Sequence, residues 1–230
     1  MADRALSRPS EPDGFEIARR RMVEDQLVAR GIRDARVLEV MATAPRHRFV
    51  DPSFVPRAYG DHALPTADGQ TISQPYIVAR MLELAELAPG HRVLELGTGS
   101  GYQTLLLARL VERVFSIERV AELQRGARAR LDELGVRNVA LRHGDGSVGW
   151  QEFAPYDRVL VAAAAPWVPE ALLAQLADRG VLVIPVGERS IQHLEVWRKT
   201  ESGRVTHSRH GECRFVPLLG RDAFKETDTR

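Results

Sequence analysis

Gly97, Gly99 and Gly101, in the stretch VLELGTGSGY, stand where an apolar strand-like run gives way to a helical one. Glycine at such a junction permits a tight turn and lets a ligand approach the backbone. The helix that follows offers unpaired N–H groups and the positive end of its dipole. The spacing is GxGxG, and a nicotinamide or flavin fingerprint would need its third glycine at the place held by Tyr102. Glu118 ends the next apolar run, RVFSIE, seventeen residues beyond Gly101. A carboxylate there can accept both hydroxyls of a ribose. Glu95 lies among Val93, Leu94 and Leu96, and a buried carboxylate needs a partner, which a cationic amino group on a ligand would supply. Asp145 and Gly146 follow a third apolar run and belong at the same edge of a sheet. A ligand with a ribose and a cationic amino group but no phosphates fits these groups, and S-adenosylmethionine is such a ligand. The chain has no GxxxxGK run followed by Ser or Thr, which disfavours a nucleoside triphosphatase.

A methyl transfer also needs an acceptor. Methylation of an exocyclic base nitrogen uses an acid or amide followed by Pro-Pro and an aromatic after the fourth strand, but this chain has VAAAAPW at 161–167. Attack through cytosine C5 needs a cysteine in that loop, and the one cysteine is Cys213. The loop carries no proton-transfer group, which suits an acceptor that is already an anion. A carboxylate, with a pKa of about 3.5–4, needs no base at neutral pH. Pro166 and Trp167 are candidates to line a substrate cleft, although a Trp packed against the sheet is the plainer expectation; His62 is a weaker candidate.

The elements that must position these groups follow from periodicity. Apolar residues from Phe15 to Arg30 and from Asp34 to Ala44 suit two helices, stopped by Gly31 and Pro45. Residues 45–75, rich in Pro, Gly, Asp and aromatics, are expected as loops and turns, and Ile77 to Leu87 as a helix. Strands are expected at 92–96, 113–118, 138–144, 156–163 and 180–187, alternating with helices at 102–111, 120–135 and about 168–177. That alternation predicts an α/β fold with a doubly wound, mostly parallel Rossmann-like sheet. Residues 192–200 and 205–220 are expected as antiparallel strands added at one edge. A single domain over 15–220 results, in which 15–75 supply N-terminal helices and loops and 76–220 the α/β core. The flanks 1–14 and 221–230 are read as tails.

Composition bounds the rest. The 230 residues are 44% hydrophobic and 27% charged with a net charge of +1, which gives no sign of a general polyanion binder. All but two of the basic residues are arginine, interleaved with acids rather than massed in one block. A single cysteine excludes an intramolecular disulfide and a cysteine-based zinc site, and no metal is expected. No run approaches the roughly 20 apolar residues of a membrane span. The expectation is a cytoplasmic monomer that binds neither nucleic acid nor membrane.

The chain resembles the protein-L-isoaspartate O-methyltransferase family, bacterial branch, over roughly residues 15–220. The resemblance rests on PRHRFVDP (45–52), AYGDHALPTADGQTISQPYIVARMLELAEL (58–87), VLELGTGSGYQTLLLARL (93–110), GDGSVGW (144–150), YDRVLVAAAAP (156–166) and CRFVPLLG (213–220). The block Thr71-Ile72-Ser73-Gln74-Pro75 is its specific part, because the glycine motif is shared by many methyltransferases. The resemblance implies that S-adenosylmethionine methylates the free α-carboxylate of isoaspartyl residues in damaged proteins and peptides, opening a repair route through a succinimide. It implies Ser73 as the catalytic residue. It places Thr71, Ile72, Ser73 and Gln74 along cofactor and acceptor, Gly97, Gly99 and Glu118 at the cofactor, and Asp145–Gly146 facing the adenine. Ser73 is too weak an acid to serve as a free base, so its role is to orient the acceptor or the reacting end of the cofactor. The block is expected to fold over the sulfonium end and exclude water. Animal members carry His where this chain has Val78 and Thr where it has Leu219, so contacts made by those side chains are in doubt here. Two other readings are another methyltransferase of the same class, acting on a small molecule or RNA, and a non-catalytic cofactor-binding factor on the same fold.

Overall fold

In a computed structural model, residues 14–66 and 70–225 are described. Gly69 and the first thirteen residues, which the sequence reading placed in a loop and a tail, lie outside them.

The N-terminal segment forms α1 (Glu16–Arg21), which runs on through a π turn (Met22–Leu27) and a 3-10 turn (Val28–Arg30). Gly31, at φ 89°, stops it. Helix α2 (Ala35–Thr43) begins at Asp34, whose side chain accepts from the N–H groups of Arg36 and Val37, a cap worth about 1 kcal/mol. Its inward face is Val37, Val40 and Met41. Two 3-10 turns follow (Arg46–Phe49 and Pro52–Arg57), then a two-residue antiparallel pair, β1 (Leu64–Pro65) with β2 (Thr71–Ile72). This pair is a departure from the loop expected over 45–75. Such short strands leave no periodicity to read. Helix α3 (Pro75–Leu84) starts with proline at its first position, where no N–H is needed.

From there the chain alternates: β3 (Arg92–Leu96), α4 (Tyr102–Leu110), β4 (Arg113–Glu118), α5 (Ala121–Glu133), β5 (Val139–His143), β6 (Tyr156–Val161), α6 (Glu170–Ala174), β7 (Leu176–Gly187), β8 (Gln192–Lys199) and β9 (Val205–Cys213). The seven-stranded sheet has the order β5-β4-β3-β6-β7-β8-β9. β5 through β7 are parallel, and β8 and β9 are antiparallel. Successive residues of β3 alternate between faces: Val93 joins the cluster under α2, α3 and α4, and Leu94 and Leu96 join the cluster that includes Leu172 of α6. Both faces are covered, so the parallel strands read as continuous apolar runs.

Two boundaries differ from the sequence reading. β7 begins four residues early and shortens α6, beside a register shift in β6 between Tyr156 and Arg158. The last stretch does not stay on the sheet edge. After Cys213 the chain leaves β9 and runs beside Ala164, whose N–H donates to Val216 O and whose carbonyl accepts from Leu218 N. The N–H of Phe215 donates to Oε1 of the fully buried Gln192, which anchors the departure. Residues 221–225 are no loose tail either. Ala223 is buried, and Phe224 exchanges backbone hydrogen bonds with Leu218 and Gly220.

Candidate functional site

Chain order reverses between β3 and β6, since β4 and β5 extend to one side of β3 and β6 and β7 to the other. Ligands of such sheets bind in the crevice at the carboxyl ends of strands beside that reversal. A cleft of about 920 Å³, partly open to solvent, lies there. Its walls are Gly97–Ser100 of the glycine turn with Tyr102 and Gln103, the segment Ile117–Val120 after β4, Gly146, Ala162–Ala163, the segment Gln70–Ser73 with Val78, and Val216–Leu219.

The glycine turn is held by Glu118, which is 7% exposed. Its Oε2 accepts from Gly99 N at 2.8 Å and its Oε1 from Val120 N at 2.9 Å. Each carboxylate oxygen keeps a further acceptor position, as a ribose diol requires. Gly99 has φ 54°, and a Cβ built on it would meet nothing within 4 Å. A side chain there would project toward the cleft and crowd whatever binds in it. Gly99→Ala is expected to weaken S-adenosylmethionine binding by about tenfold or more, read by calorimetry against an unchanged far-UV spectrum. Binding at full strength would make the turn merely structural. Gly101 differs. It lies outside the cleft walls, and its Cβ would sit 3.1 Å from Ala127 Cβ, so its lack of a side chain serves the packing of α4 against α5.

Glu95 is corrected by the structure. It is fully buried and is not among the residues lining the cleft. Its partners are protein groups: Thr104 Oγ1 at 2.5 Å, Ser116 Oγ at 2.7 Å and Gln103 Nε2 at 3.2 Å. The sequence could not show that α4 and β4 bring hydroxyls to it. Thr98 Oγ1, in the cleft wall, lies 2.6 Å from Ser116 Oγ, so Glu95 supports the turn from beneath. Burial raises its pKa to about 7, against the lowering effect of those hydrogen bonds. In the unfolded chain it ionises at the ordinary value near 4.5. Between those values the folded state binds more protons, so this group's contribution falls as pH rises from about 4.5 through about 7. Glu95→Gln is expected to abolish that decline, because the Thr104 and Ser116 hydroxyls can turn to accept from the amide. Tm measured against pH for both proteins tests this, and parallel curves between pH 5 and 8 would refute it.

Two other expected contacts lie elsewhere. The Gln74 amide donates to Asp61 Oδ1 at 2.7 Å, and Asp61 also pairs with Arg30 at 3.1 Å, so Gln74 ties the start of α3 to a loop instead of lining the cleft. The Asp145 carboxylate accepts from the Ser147 N–H and hydroxyl and from Arg221 N. Burial acts to raise its pKa, but these hydrogen bonds outweigh it and hold the group below the ordinary range. Asp145 therefore locks its loop and the returning C-terminal segment, and only its neighbour Gly146 lines the cleft. Trp167 is 59% exposed, neither packed on the sheet nor in the cleft, and Pro166 and His62 are outside the cleft too.

Thr71, Ile72 and Ser73 do line the cleft, together with the glycine turn. Ser73 is half-buried, and no hydrogen bond from another described residue engages its Oγ. It does not cap α3, whose N-cap is Gln74 with no side-chain cap bond. Val78 and Leu219, where animal members carry His and Thr, both stand in the wall. Sequence reasoning missed Gln103, Arg119 and the Val216–Leu219 segment. For the last of these, the break at Pro217 was the available signal, since proline cannot continue a ladder.

A doubly wound sheet with an antiparallel edge and a cleft at its reversal point is the architecture of the class I methyltransferases. Within that class, the chain belongs to the protein-L-isoaspartate(D-aspartate) O-methyltransferase family, whose model matches residues 18–223. It is 53% identical over 217 residues to a protein-L-isoaspartate O-methyltransferase of Koribacter versatilis, covering 94% of this chain and 97% of that one. It is 52% identical over 211 residues to that of Trichlorobacter lovleyi, covering 92% and 97%. Among solved structures, a protein-L-isoaspartate O-methyltransferase superposes with a TM-score of 0.79 at 28% identity, over 89% of this chain and 67% of that one. A Plasmodium falciparum protein described as a putative member, in complex with S-adenosyl-L-homocysteine, gives 0.76 at 27% identity, over 87% and 98%.

Proposed function

We propose that this protein transfers the methyl group of S-adenosylmethionine to the free α-carboxylate of L-isoaspartyl residues in damaged proteins and peptides. The observation that carries this reading is the free Ser73 hydroxyl in a cleft that the glycine turn also lines and whose wall contains no histidine, cysteine or lysine among the described residues. S-adenosylmethionine, when bound, supplies an electrophilic methyl group on a sulfonium. The chain's residues need only hold and orient the reactants. Glu118 accepts the ribose hydroxyls, and the N–H-rich glycine turn lies against the cofactor. Thr71, Ile72 and Ser73 form the wall nearest the acceptor, where Ser73 Oγ donates to the carboxylate and turns one oxygen toward the methyl group. No general base is required, because the acceptor is ionised at neutral pH. Tyr102 cannot serve as one, since burial pushes its phenol up to about 12. Val78, Ile117, Ala162, Ala163 and Leu218 make much of the remaining wall apolar, which limits water around two opposite charges that neutralise as the methyl moves.

The ester product closes to a succinimide without the enzyme, and hydrolysis returns part of it to normal aspartyl linkage. Damage arises in many sequence contexts, so the peptide is held in extended form with few side-chain-specific contacts. No helix among the described residues is long and apolar enough to cross a membrane. We place the activity in the cytoplasm, carried out by a monomer on protein substrates without nucleic acid. The deciding experiment presents a synthetic isoaspartyl peptide beside its aspartyl twin with labelled S-adenosylmethionine. Methylation of the first alone is expected. Equal labelling, or none, would overturn the reading.

A further inference from the structure

Arg46 begins the 3-10 turn Arg46–Phe49 and is fully buried. Its Nε donates to Ala58 O at 2.7 Å and its Nη2 to Ser73 O at 2.8 Å. The guanidinium lies 4.9 Å from the ring centroid of Tyr102, another residue of the cleft wall. Nη1 has no hydrogen-bond partner, and among the described residues no carboxylate pairs with Arg46. Burial lowers its pKa, with Tyr102 and Tyr59 opposing, but only to about 10, so it is charged at neutral pH. A buried cation without a counter-ion is costly, and an apolar side chain of similar volume would fill the space with less penalty. Its placement, directly behind Ser73 and Tyr102, suggests what offsets that cost.

We propose that Arg46 is a positioning residue for the acceptor: it fixes Ser73 through the carbonyl oxygen and holds, behind the cleft wall, a positive charge whose counter-ion is the substrate carboxylate. This rests on the functional reading above. A fixed charge in a water-poor wall acts more strongly than one in solvent. The acceptor carries its full negative charge on binding and loses it as the ester forms. The charge therefore favours the bound acid over the transition state and shows in KM. The hydrogen bond to Ser73 governs orientation and shows in kcat.

The test uses an isoaspartyl peptide, the same peptide with its α-carboxylate replaced by a carboxamide, and the full chain with Arg46→Met and Arg46→Lys. S-adenosylhomocysteine binding, expected within about twofold of wild type, monitors the cofactor site. Arg46→Met is expected to raise KM for the acid about tenfold, the effect of a partly screened charge, and to lower kcat, while affinity for the carboxamide stays within about twofold. Arg46→Lys keeps the charge but not the two-pronged geometry, so KM stays near wild type and kcat falls. Acid and carboxamide weakened alike in Arg46→Met would reduce Arg46 to a structural brace and overturn the proposal. Should that variant not fold, Arg46→Lys decides: a KM raised about tenfold overturns the proposal, and a retained KM with lowered kcat upholds it. Absence of wild-type turnover on the isoaspartyl peptide would instead remove the functional reading, and this proposal with it. Wild-type turnover with unaltered kinetics in both variants would remove the role of Arg46 alone.

Discussion

Ser73→Ala is expected to lower kcat on an isoaspartyl peptide by roughly 10- to 100-fold, the scale of a lost orienting contact, and to leave S-adenosylmethionine affinity within about twofold. The Ser73 side chain lines the cleft without a hydrogen bond from another described residue, so its removal leaves no buried partner unsatisfied. Its backbone carbonyl, bonded to Arg46, is unaffected by truncation. The loss should therefore appear in turnover and not in stability. Because the proposed mechanism abstracts no proton, kcat for both proteins should stay level between about pH 6 and 8, above the acceptor's pKa. A variant with full kcat would remove Ser73 from the mechanism. A wild-type kcat rising tenfold per pH unit over that window would sink the base-free scheme even if Ser73 proved essential.

Glu118→Ala should weaken S-adenosylmethionine binding by roughly 1–3 kcal/mol, the range for hydrogen bonds to a charged group. The structure adds a second consequence. Glu118 also holds the N–H groups of Gly99 and Val120, so truncation loosens the glycine turn as well as removing the proposed ribose acceptor. Glu118→Gln keeps an acceptor oxygen for one of these two N–H groups, sets its amide against the other, and presents an amide where a ribose hydroxyl would donate, so its binding is expected to weaken as well. Calorimetry is expected to show both variants weaker than wild type. Unchanged affinity in a folded Glu118→Ala protein would place the ribose elsewhere.

β3 and β4 were legible to the residue, since each is an apolar run short enough to be a strand and ends at a Gly or an acid. The cleft positions of Gly97, Gly99, Glu118 and Gly146 followed, because a doubly wound sheet delivers the ends of its strands to one edge. The role proposed for Thr71–Ser73 rests on resemblance, and the structure places the three residues in the cleft wall. Nothing in the local pattern announces a two-residue strand or its antiparallel pairing with Leu64–Pro65.

Glu95, Gln74 and Asp145 are polar groups whose chemistry suits a ligand, and each has acceptors or donors taken up by protein groups: Thr104 and Ser116, Asp61, and Ser147 with Arg221. A sequence names the groups that need partners but not which partners reach them. Val216–Leu219 shows the same limit, for its composition suits an edge strand, and hydrogen bonds to Gln192, Ala164 and Phe224 hold it in the cleft wall instead. Arg46 is the sharpest case. In the sequence it is one arginine among many, and only the packed fold, by closing over it and directing it at the Ser73 carbonyl, makes its charge consequential. Residue types and spacing establish the sheet, its edge and the class of cofactor, because those depend on local periodicity and strand order. Long-range hydrogen bonds and burial decide which polar groups remain free to act, because these are settled only when distant segments meet.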